Sequence, residues 1–526
     1  MMSGIVKNIV LGNRYFDSLK LMRISGKIAE LQGVKKGAVV MATDLNKQIL
    51  RDVGLFTAVL EEAKPDDLVV SVSLEDESYL DPVLKFIEAE LEREATRSQG
   101  AGQMNPKTLE SALEVLPGAN LALISVPGTY AKREALRALK QGLHVFLFSD
   151  NVTIDEELEL KKFAQGQGLL VMGPGCGTAI INGIGLAFAN VLKEGPVGIV
   201  AAAGTGLQEV SSLISNAGVG VSHGFGTGGR DLSDKIGGIT TRQGLRILEK
   251  DPRTKVIVLI SKPPGPHTAQ ELSGVLARMS KPVVLNFIGL SSSLETTDKV
   301  FVTKTLEDAA LRAVCLIRGE EFKERVFAKE AGNVLKIAER EYNRFDEKQQ
   351  YVRGLYSGGT VCSEAALILA DLLPSVTSNM PPRAELKMKD AKVSAGHALI
   401  DLGDEEFTVG RAHPMIDPFV RKQRLIQEAK DPETAVILLD VVLGYGSNED
   451  MAGALLSTIE EAKSLRQKSG GYLSVVASVV GTFEDPQGRE EQIKKLTDGG
   501  VVVMPSNAQA ARMAAVIVSR GRAKIA

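Results

Sequence analysis

The feature that most constrains the fold is an internal repeat. The segment KDPRTKVIVLI at 250–260 aligns with KDPETAVILLD at 430–440, and each ends a helix at Asp-Pro before entering a buried strand. Upstream, Gly229-Arg230 aligns with Gly410-Arg411. Further upstream, the turn Gly204-Thr205-Gly206 matches Ser357-Gly358-Gly359-Thr360, with Glu209 and Glu364 following in the two helices. Three matches in the same order with similar spacing point to two copies of one flavodoxin-like domain, at 193–318 and 351–526. A pseudo-two-fold pair would bring the equivalent loops together at one interface.

The rest of the chain follows the same α/β plan. Residues 1–100 read as strand, helix, strand, helix, strand, helix, a small ferredoxin-like α/β unit. The stretch TRSQGAGQMNPK at 96–107 lacks periodicity and reads as a linker. Residues 101–192 carry the apolar strands LALISV, HVFLF and LLVM with amphipathic helices between them, which implies a Rossmann-like parallel sheet. The densely charged 319–350 reads as an exposed helical connector.

Composition removes several functional classes. A net charge of −3 with scattered basic residues gives no reason to expect nucleic acid or an anionic membrane. Cys176, Cys315 and Cys362 are too far apart for a disulfide framework or a zinc site, so no metal is expected. The N-terminus has no signal-peptide pattern, and no apolar run approaches the ~20 residues of a membrane helix. The expected location is the cytoplasm.

Chemistry is expected where the glycine turns open helices. A helix N-terminus offers unpaired N–H groups and about half a positive charge, and glycine lets an anion come close to that backbone. The turns Gly204-Thr205-Gly206 and Ser357-Gly358-Gly359-Thr360 are therefore candidate phosphate-binding loops. Arg230 and Arg411, each in a Gly-containing loop, could add bidentate contacts. Three further turns lie at the carboxyl ends of strands, where open α/β sheets bind ligands. They are Pro127-Gly128-Thr129, Ser149-Asp150-Asn151 and Gly173-Pro174-Gly175-Cys176.

Among the five histidines, His413 lies beside Arg411 and Asp417 in GRAHPMIDP and is the candidate for a catalytic or ligand role. His144, His223, His267 and His397 read as structural. Cys176 lies in a Gly-rich turn where a helix start would lower its pKa. No histidine is near it in sequence, so close packing against a ligand is the expectation. Ser291-Ser292-Ser293 either supply hydroxyls to an anion or are plain turn residues.

Residues 108–526 resemble the succinyl-CoA synthetase family, and within it the whole chain resembles the FdrA family. The carrying stretches are LALISVPGTYAKREAL, LFSDNVTIDEE, LLVMGPGCGTAIING, GIVAAAGTGLQEVSSLI, GTGGRDLSDKIGG, LYSGGT, VGRAHPMIDPFVRKQRL and LLDVVLGYG. The resemblance implies a CoA-binding-type Rossmann domain followed by two ligase-type domains, which the synthetases divide between two subunits. It also implies phosphate binding at Ala203–Gly206 and Ser357–Thr360. Two departures stand out. Where the synthetases place a Gly-His-Ala-Gly phosphohistidine loop, this chain has Ser291-Ser292-Ser293-Leu294, and residues 1–100 replace the family's Gly-rich CoA loop. The Gly-His-Ala at 396–398 lies in another domain.

The FdrA resemblance implies a subunit of an oxamate carbamoyltransferase in purine (allantoin) catabolism, which converts oxalurate and phosphate to oxamate and carbamoyl phosphate. In that reading Gly204–Gly206 and Ser357–Thr360 hold phosphate. Arg230, Arg411 and His413 stabilise developing charge, and Asp417 orients His413. The rival reading is an acid–CoA ligase with CoA across Val126–Thr129, Ser149–Val152 and Gly173–Gly177, its nucleotide half-reaction on another chain. A third is a non-catalytic scaffold or ligand-sensing subunit. All three expect a small anionic ligand and partner subunits.

Overall fold

The computed structural model describes residues 4–523, except 13, 15, 17, 29, 30, 99–105, 203, 290–295, 329, 409 and 410. The chain forms two compact units, Met1–Thr108 with Glu405–Asp417, and Leu109–Asp404 with Pro418–Ala526.

The N-terminal unit runs β1 (Ile5–Leu11), α1 (Ser18–Ile28), β2 (Val34–Met41), α2 (Asp44–Asp52), β3 (Leu68–Leu74) and α3 (Leu80–Ser98). Its sheet has the antiparallel order β1-β3-β2. Every residue of LVVSVSL in β3 is buried, because the central strand is covered on both faces. Val70 and Val72 pack with Leu21, Ile24, Val83 and Ile87 of α1 and α3. Val69, one residue out of phase, packs with Leu50, Leu55 and Leu60 on the other face.

The larger unit opens with α4 (Leu109–Val115), β4 (Leu121–Ile124), α5 (Gly128–Lys140), β5 (His144–Leu147), α6 (Ile154–Gly166) and β6 (Val171–Met172). These make a parallel sheet in the order β4-β5-β6. A capping box, Thr153 with Glu156, starts α6.

The first ligase-type repeat then follows. Its elements are β7 (Thr178–Ile181), β8 (Ile184–Ala187), β9 (Glu194–Ala201), α7 (Gly204–Asn216), β10 (Val221–Gly226), α8 (Ile239–Lys250), β11 (Val256–Ser261), α9 (Pro266–Leu276), β12 (Val283–Phe287), β13 (Val300–Val302) and α10 (Leu306–Arg318). After α11 (Ala331–Tyr342) the second repeat begins with β14 (Tyr351–Tyr356), α12 (Gly359–Leu372), β15 (Val376–Ser378) and β16 (His397–Asp401). The short α13 (Glu405–Thr408) belongs to the N-terminal unit. The repeat resumes with α14 (Phe419–Lys430), β17 (Thr434–Val442), α15 (Met451–Lys468), β18 (Ser474–Val480), α16 (Arg489–Asp498), β19 (Val502–Met504) and α17 (Asn507–Val518).

The two sheets share one topology. The first contains β10-β9-β11-β12-β13 reversed in a seven-stranded sheet, and the second contains β16-β14-β17-β18-β19. Both are the flavodoxin-like order 2-1-3-4-5. All pairs in these series are parallel. The aligned KDP segments end α8 and α14 and lead into β11 and β17, as the repeat requires.

Three sequence expectations need correction. Residues 178–187, read as part of the Rossmann-like domain, form β7 and β8, and β7 pairs antiparallel with β10 of the ligase sheet. That boundary therefore lies before Thr178. The 319–350 connector is not exposed throughout, since Val334 and Ala338 on α11 are buried in the ligase core. Residues 405–417, placed in the second ligase domain, group with the N-terminal unit.

Candidate functional site

The starts of α7 and α12 meet. A Cβ built on Gly358 would stand 2.5 Å from Thr205 Cγ2, and one built on Gly206 would stand 2.7 Å from Thr360 Cγ2. Each threonine thus packs on a glycine of the other repeat, and a larger residue at either glycine would force the starts apart. Thr205, Gly206, Ser357 and Gly358 are buried, while Gly204, Gly359 and Thr360 are partly exposed. Gly358 caps α12 and has no side chain to satisfy the first-turn N–H groups.

The floors of the two starts differ. Ile260, at the end of β11, lies 3.4 Å from the Cβ position of Gly206. Its aligned partner is Asp440, near the end of β17, fully buried beneath α12. The Asp440 carboxylate accepts from the Ser357 N–H at 2.8 Å and from Ser357 Oγ at 3.0 Å. Arg421, also buried, donates to Asp440 Oδ1 at 3.1 Å and to the carbonyls of Leu355 and Asp440. Ser357 is therefore engaged by Asp440 and Gly358 is covered by Thr205, which leaves Gly359 and Thr360 as the part of that loop open to a ligand.

Asp401 at the end of β16 lies beside the same helix start, with Oδ2 2.8 Å from the Cβ position of Gly359. Burial pushes its carboxyl up to about 7, with Asp440 and Asp404 adding repulsion, against the Gly403 N–H and Lys262. Burial likewise raises Asp440, opposed first by Arg421.

Behind the two starts lies a buried glutamate pair. Glu364 Oε1 accepts from the Leu306 N–H at 2.6 Å, at the first residue of α10 in the first repeat. Glu209 Oε1 accepts from the Asn507 N–H at 3.1 Å, at the first residue of α17 in the second. Asn507 Nδ2 also donates to Glu364 Oε2 at 2.7 Å. Burial, the largest cause, raises Glu209 to about 8 and Glu364 to about 7.

The other predicted residues are distributed as follows. Arg230 is tied to the Rossmann-like part: Nε donates to Glu157 Oε2 at 2.9 Å and Nη2 to the Val152 carbonyl at 2.7 Å. Arg411, His413 and Asp417 group with the N-terminal unit. Within their loop, the Asp417 N–H donates to the His413 carbonyl and the Met415 N–H to His413 Nδ1. Ser291–Ser293 lie outside the described residues.

The turns at the ends of β4, β5 and β6 do converge. Gly128 packs on the carbonyls of Asp150 and Asn151, and the Cβ position of Gly175 lies 2.7 Å from Asp150 Oδ1. The Gly175 N–H donates to the Ser149 carbonyl at 3.1 Å, and Asn151 has a positive φ of 57°. Pro127 and Thr129 flank Gly128 at the start of α5, and Gly173-Pro174 leads into the third turn. Cys176 is not at a helix start. It is buried ahead of β7 with Sγ on the carbonyls of Thr178 and Gly226, and burial pushes its thiol up to about 12. A lowered, nucleophilic thiol is thereby overturned.

Sequence reasoning missed Asp440, Arg421 and Asp401. The readable signal was a carboxylate inside TAVILLDVV, since a charge in a buried strand requires a partner.

Residues 355–517 match the CoA-ligase family model, and residues 2–107 match the model described as AllF, heavy metal-associated domain. Residues 2–107 contain no cysteine or histidine. Among the described residues no group of three metal-binding side chains occurs. Nor, among them, is any helix long and apolar enough to cross a membrane.

The α subunit of the ADP-forming succinate–CoA ligase of Methanothermobacter thermautotrophicus is 29% identical over 167 residues, 31% of this chain and 55% of that subunit. This chain therefore matches about half of that relative's length. A dinucleotide-forming acetyl-coenzyme A synthetase 1 from Ca. Korarchaeum cryptofilum shares 16% identity over 77% of this chain and 84% of that one, with a TM-score of 0.30. The matches favour an acid–CoA ligase kind of enzyme and lend nothing to carbamoyl transfer. YahF of Escherichia coli (strain K12) is 41% identical over 516 residues, covering 98% of this chain and 99% of YahF. The chain belongs to the family of Escherichia coli YahF and carries a CoA-ligase domain of the succinyl-CoA synthetase kind.

Proposed function

We propose that the two repeats form the acyl-transfer module of an acid–CoA ligase, with the starts of α7 and α12 holding the phosphate of an acyl phosphate or the free phosphate it releases. The observation that carries this reading is the contact of the two starts at matching places in the two repeats. Each start brings about half a positive charge and a set of unpaired N–H groups. Two of them at one spot suit a phosphate dianion without a lysine or arginine. In the transfer step the CoA thiolate would attack the acyl carbon and phosphate would leave with the bonding pair.

CoA as acceptor is supported by the CoA-ligase match. Pro127–Thr129, Ser149–Asn151 and Gly173–Cys176 are its candidate loops, because they crowd together at the ends of three parallel strands. The succinate–CoA ligase relatives are α subunits, which supports a partner chain for the nucleotide half-reaction. Arg230 is assigned to holding α6.

A second reading, the FdrA-type carbamoyl transfer from oxalurate to phosphate, is favoured by one observation. The chain has no histidine between 268 and 396, so the segment after β12 cannot form a phosphohistidine. Direct phosphorolysis needs none. The purified chain, alone and with the chains that copurify with it, separates the readings. CoA- and nucleotide-dependent thioester formation supports the first. Carbamoyl phosphate release from oxalurate and phosphate supports the second. Failure of both reactions, with phosphate still bound, contradicts both and leaves a ligand-sensing subunit.

A further inference from the structure

The buried glutamates show a symmetry that helix capping alone does not require. Glu209 lies five residues after Gly204, and Glu364 lies five residues after Gly359. Thr305 and Ser506 already cap α10 and α17 by accepting from Asp308 and Gln509. The glutamates take the next orphan donors, the N–H groups of Leu306 and Asn507, and each takes it from the opposite repeat. Asn507 ties the pair together. Its backbone N–H reaches Glu209, its Nδ2 reaches Glu364 and the Val361 carbonyl, and its Oδ1 accepts from Tyr356.

A buried carboxylate pair costs stability that an apolar pair of similar size would not. What the pair supplies is direction, because a hydrogen bond fixes distance and angle where apolar contact does not. Each helix that opens at the anion cradle is pinned, one and a half turns behind its start, to the last helix of the other repeat.

We propose that Glu209 and Glu364 are positioning residues that hold the starts of α7 and α12 together as one anion cradle. The inference rests on the phosphate-binding reading above. The raised affinity of both carboxyls for a proton agrees with it, since a pair that keeps a proton at neutral pH places less negative charge behind a bound dianion. The other charged groups facing the pair are Glu307, Arg489 and Arg512.

Two readouts test it, and one needs no ligand. A Cβ on Gly206 would lie 3.5 Å from Thr360 Cβ, at the short end of the disulfide range. The parent protein is therefore Gly206→Cys/Thr360→Cys with Cys315→Ser, and its rate of cross-linking reports how close the two starts are. Glu209→Ala and Glu364→Ala should each slow cross-linking by about tenfold. Glu209→Gln and Glu364→Gln keep an acceptor oxygen and should stay within about twofold of the parent. Folded alanine variants that cross-link at the parent rate overturn the proposal, as do glutamine variants as slow as the alanines. If an alanine variant does not fold, its glutamine counterpart decides alone, and a tenfold slowing overturns. The second readout is calorimetric titration of otherwise wild-type protein and of the same glutamate variants with inorganic phosphate. The alanines should weaken binding by about tenfold and the glutamines should not. If wild-type protein binds no phosphate, the functional reading fails, and the cross-linking rates still judge the positioning.

Discussion

The starts of α7 and α12 occupy the same place in two copies of one fold, yet they rest on opposite chemistry. Beneath α7 the aligned floor residue is Ile260, and beneath α12 it is Asp440 paired with Arg421. Duplication kept the backbone geometry, the paired glycines and the glutamate five residues on. It did not keep the floor. The backbone of both copies suits an anion, and the second copy adds carboxylates whose protonation sets the local charge. The symmetric part is thus the candidate cradle with its two buried glutamates, and the asymmetric part adds titratable carboxylates on one side only.

The largest test of this contrast is Asp440→Ala. It strands Arg421 in the core and should cost about 3–5 kcal/mol in urea unfolding. Asp440→Ala combined with Arg421→Met should recover much of that loss. A single-variant cost below about 1 kcal/mol would mean the ionic floor contributes little.

Next come the glycines at the contact. Gly358→Ala and Gly206→Ala should each cost about 1–3 kcal/mol, because the new methyl meets a threonine methyl of the other repeat. Thr205→Ser removes only the nearest of three close atoms, since Thr205 Cβ and Oγ1 would still lie 2.8 and 2.9 Å from the new methyl, and should recover part of the Gly358→Ala loss. A Thr205→Gly background, which removes all three, should recover more of the clash than Thr205→Ser, and equal stability of the two backgrounds would place the clash elsewhere.

The pH dependence should then separate the buried acids from ordinary ones. Glu364, held up at about 7, and Glu209, at about 8, keep protons that the unfolded chain releases near the ordinary glutamate value. Their stabilising effect is complete below that ordinary value and is lost as pH rises through 7 and 8. Stability should fall across this window with a slope on the order of 1 kcal/mol per pH unit. Glu209→Gln/Glu364→Gln should flatten it. An unchanged slope would assign the titration to Asp401, which is also held up at about 7. The smallest effect belongs to the apolar floor, where Ile260→Val should cost about 0.5–1.5 kcal/mol.

What could be read from sequence followed local periodicity and repetition. The aligned KDP segments and glycine turns were enough for two flavodoxin-like copies, because strand order in such folds follows from right-handed crossovers. The meeting of residues 204–206 with 357–360 was likewise an inference from pseudo-symmetry. Long-range pairing escaped that reasoning. The β7–β8 hairpin joins β10 about 40 residues away, and no local pattern records its partner. Cys176 looked like a helix start because glycine turns precede strands as readily as helices. The segment 405–417, with Arg411, His413 and Asp417, groups with the N-terminal unit. Its motif is conspicuous in sequence, but the unit it joins is set by tertiary contacts. Ser357 appeared free to bind an anion until Asp440 was found to use its N–H and hydroxyl.

The central claim is that the two helix starts act together on one anion. Its most direct test is amide NMR of protein labelled at glycine and threonine, titrated with inorganic phosphate. The account predicts saturable shifts with one common affinity at Thr205, Gly206, Gly359 and Thr360. Shifts confined to one helix start, or appearing at Gly128 and Gly175 with none at these four, would contradict it.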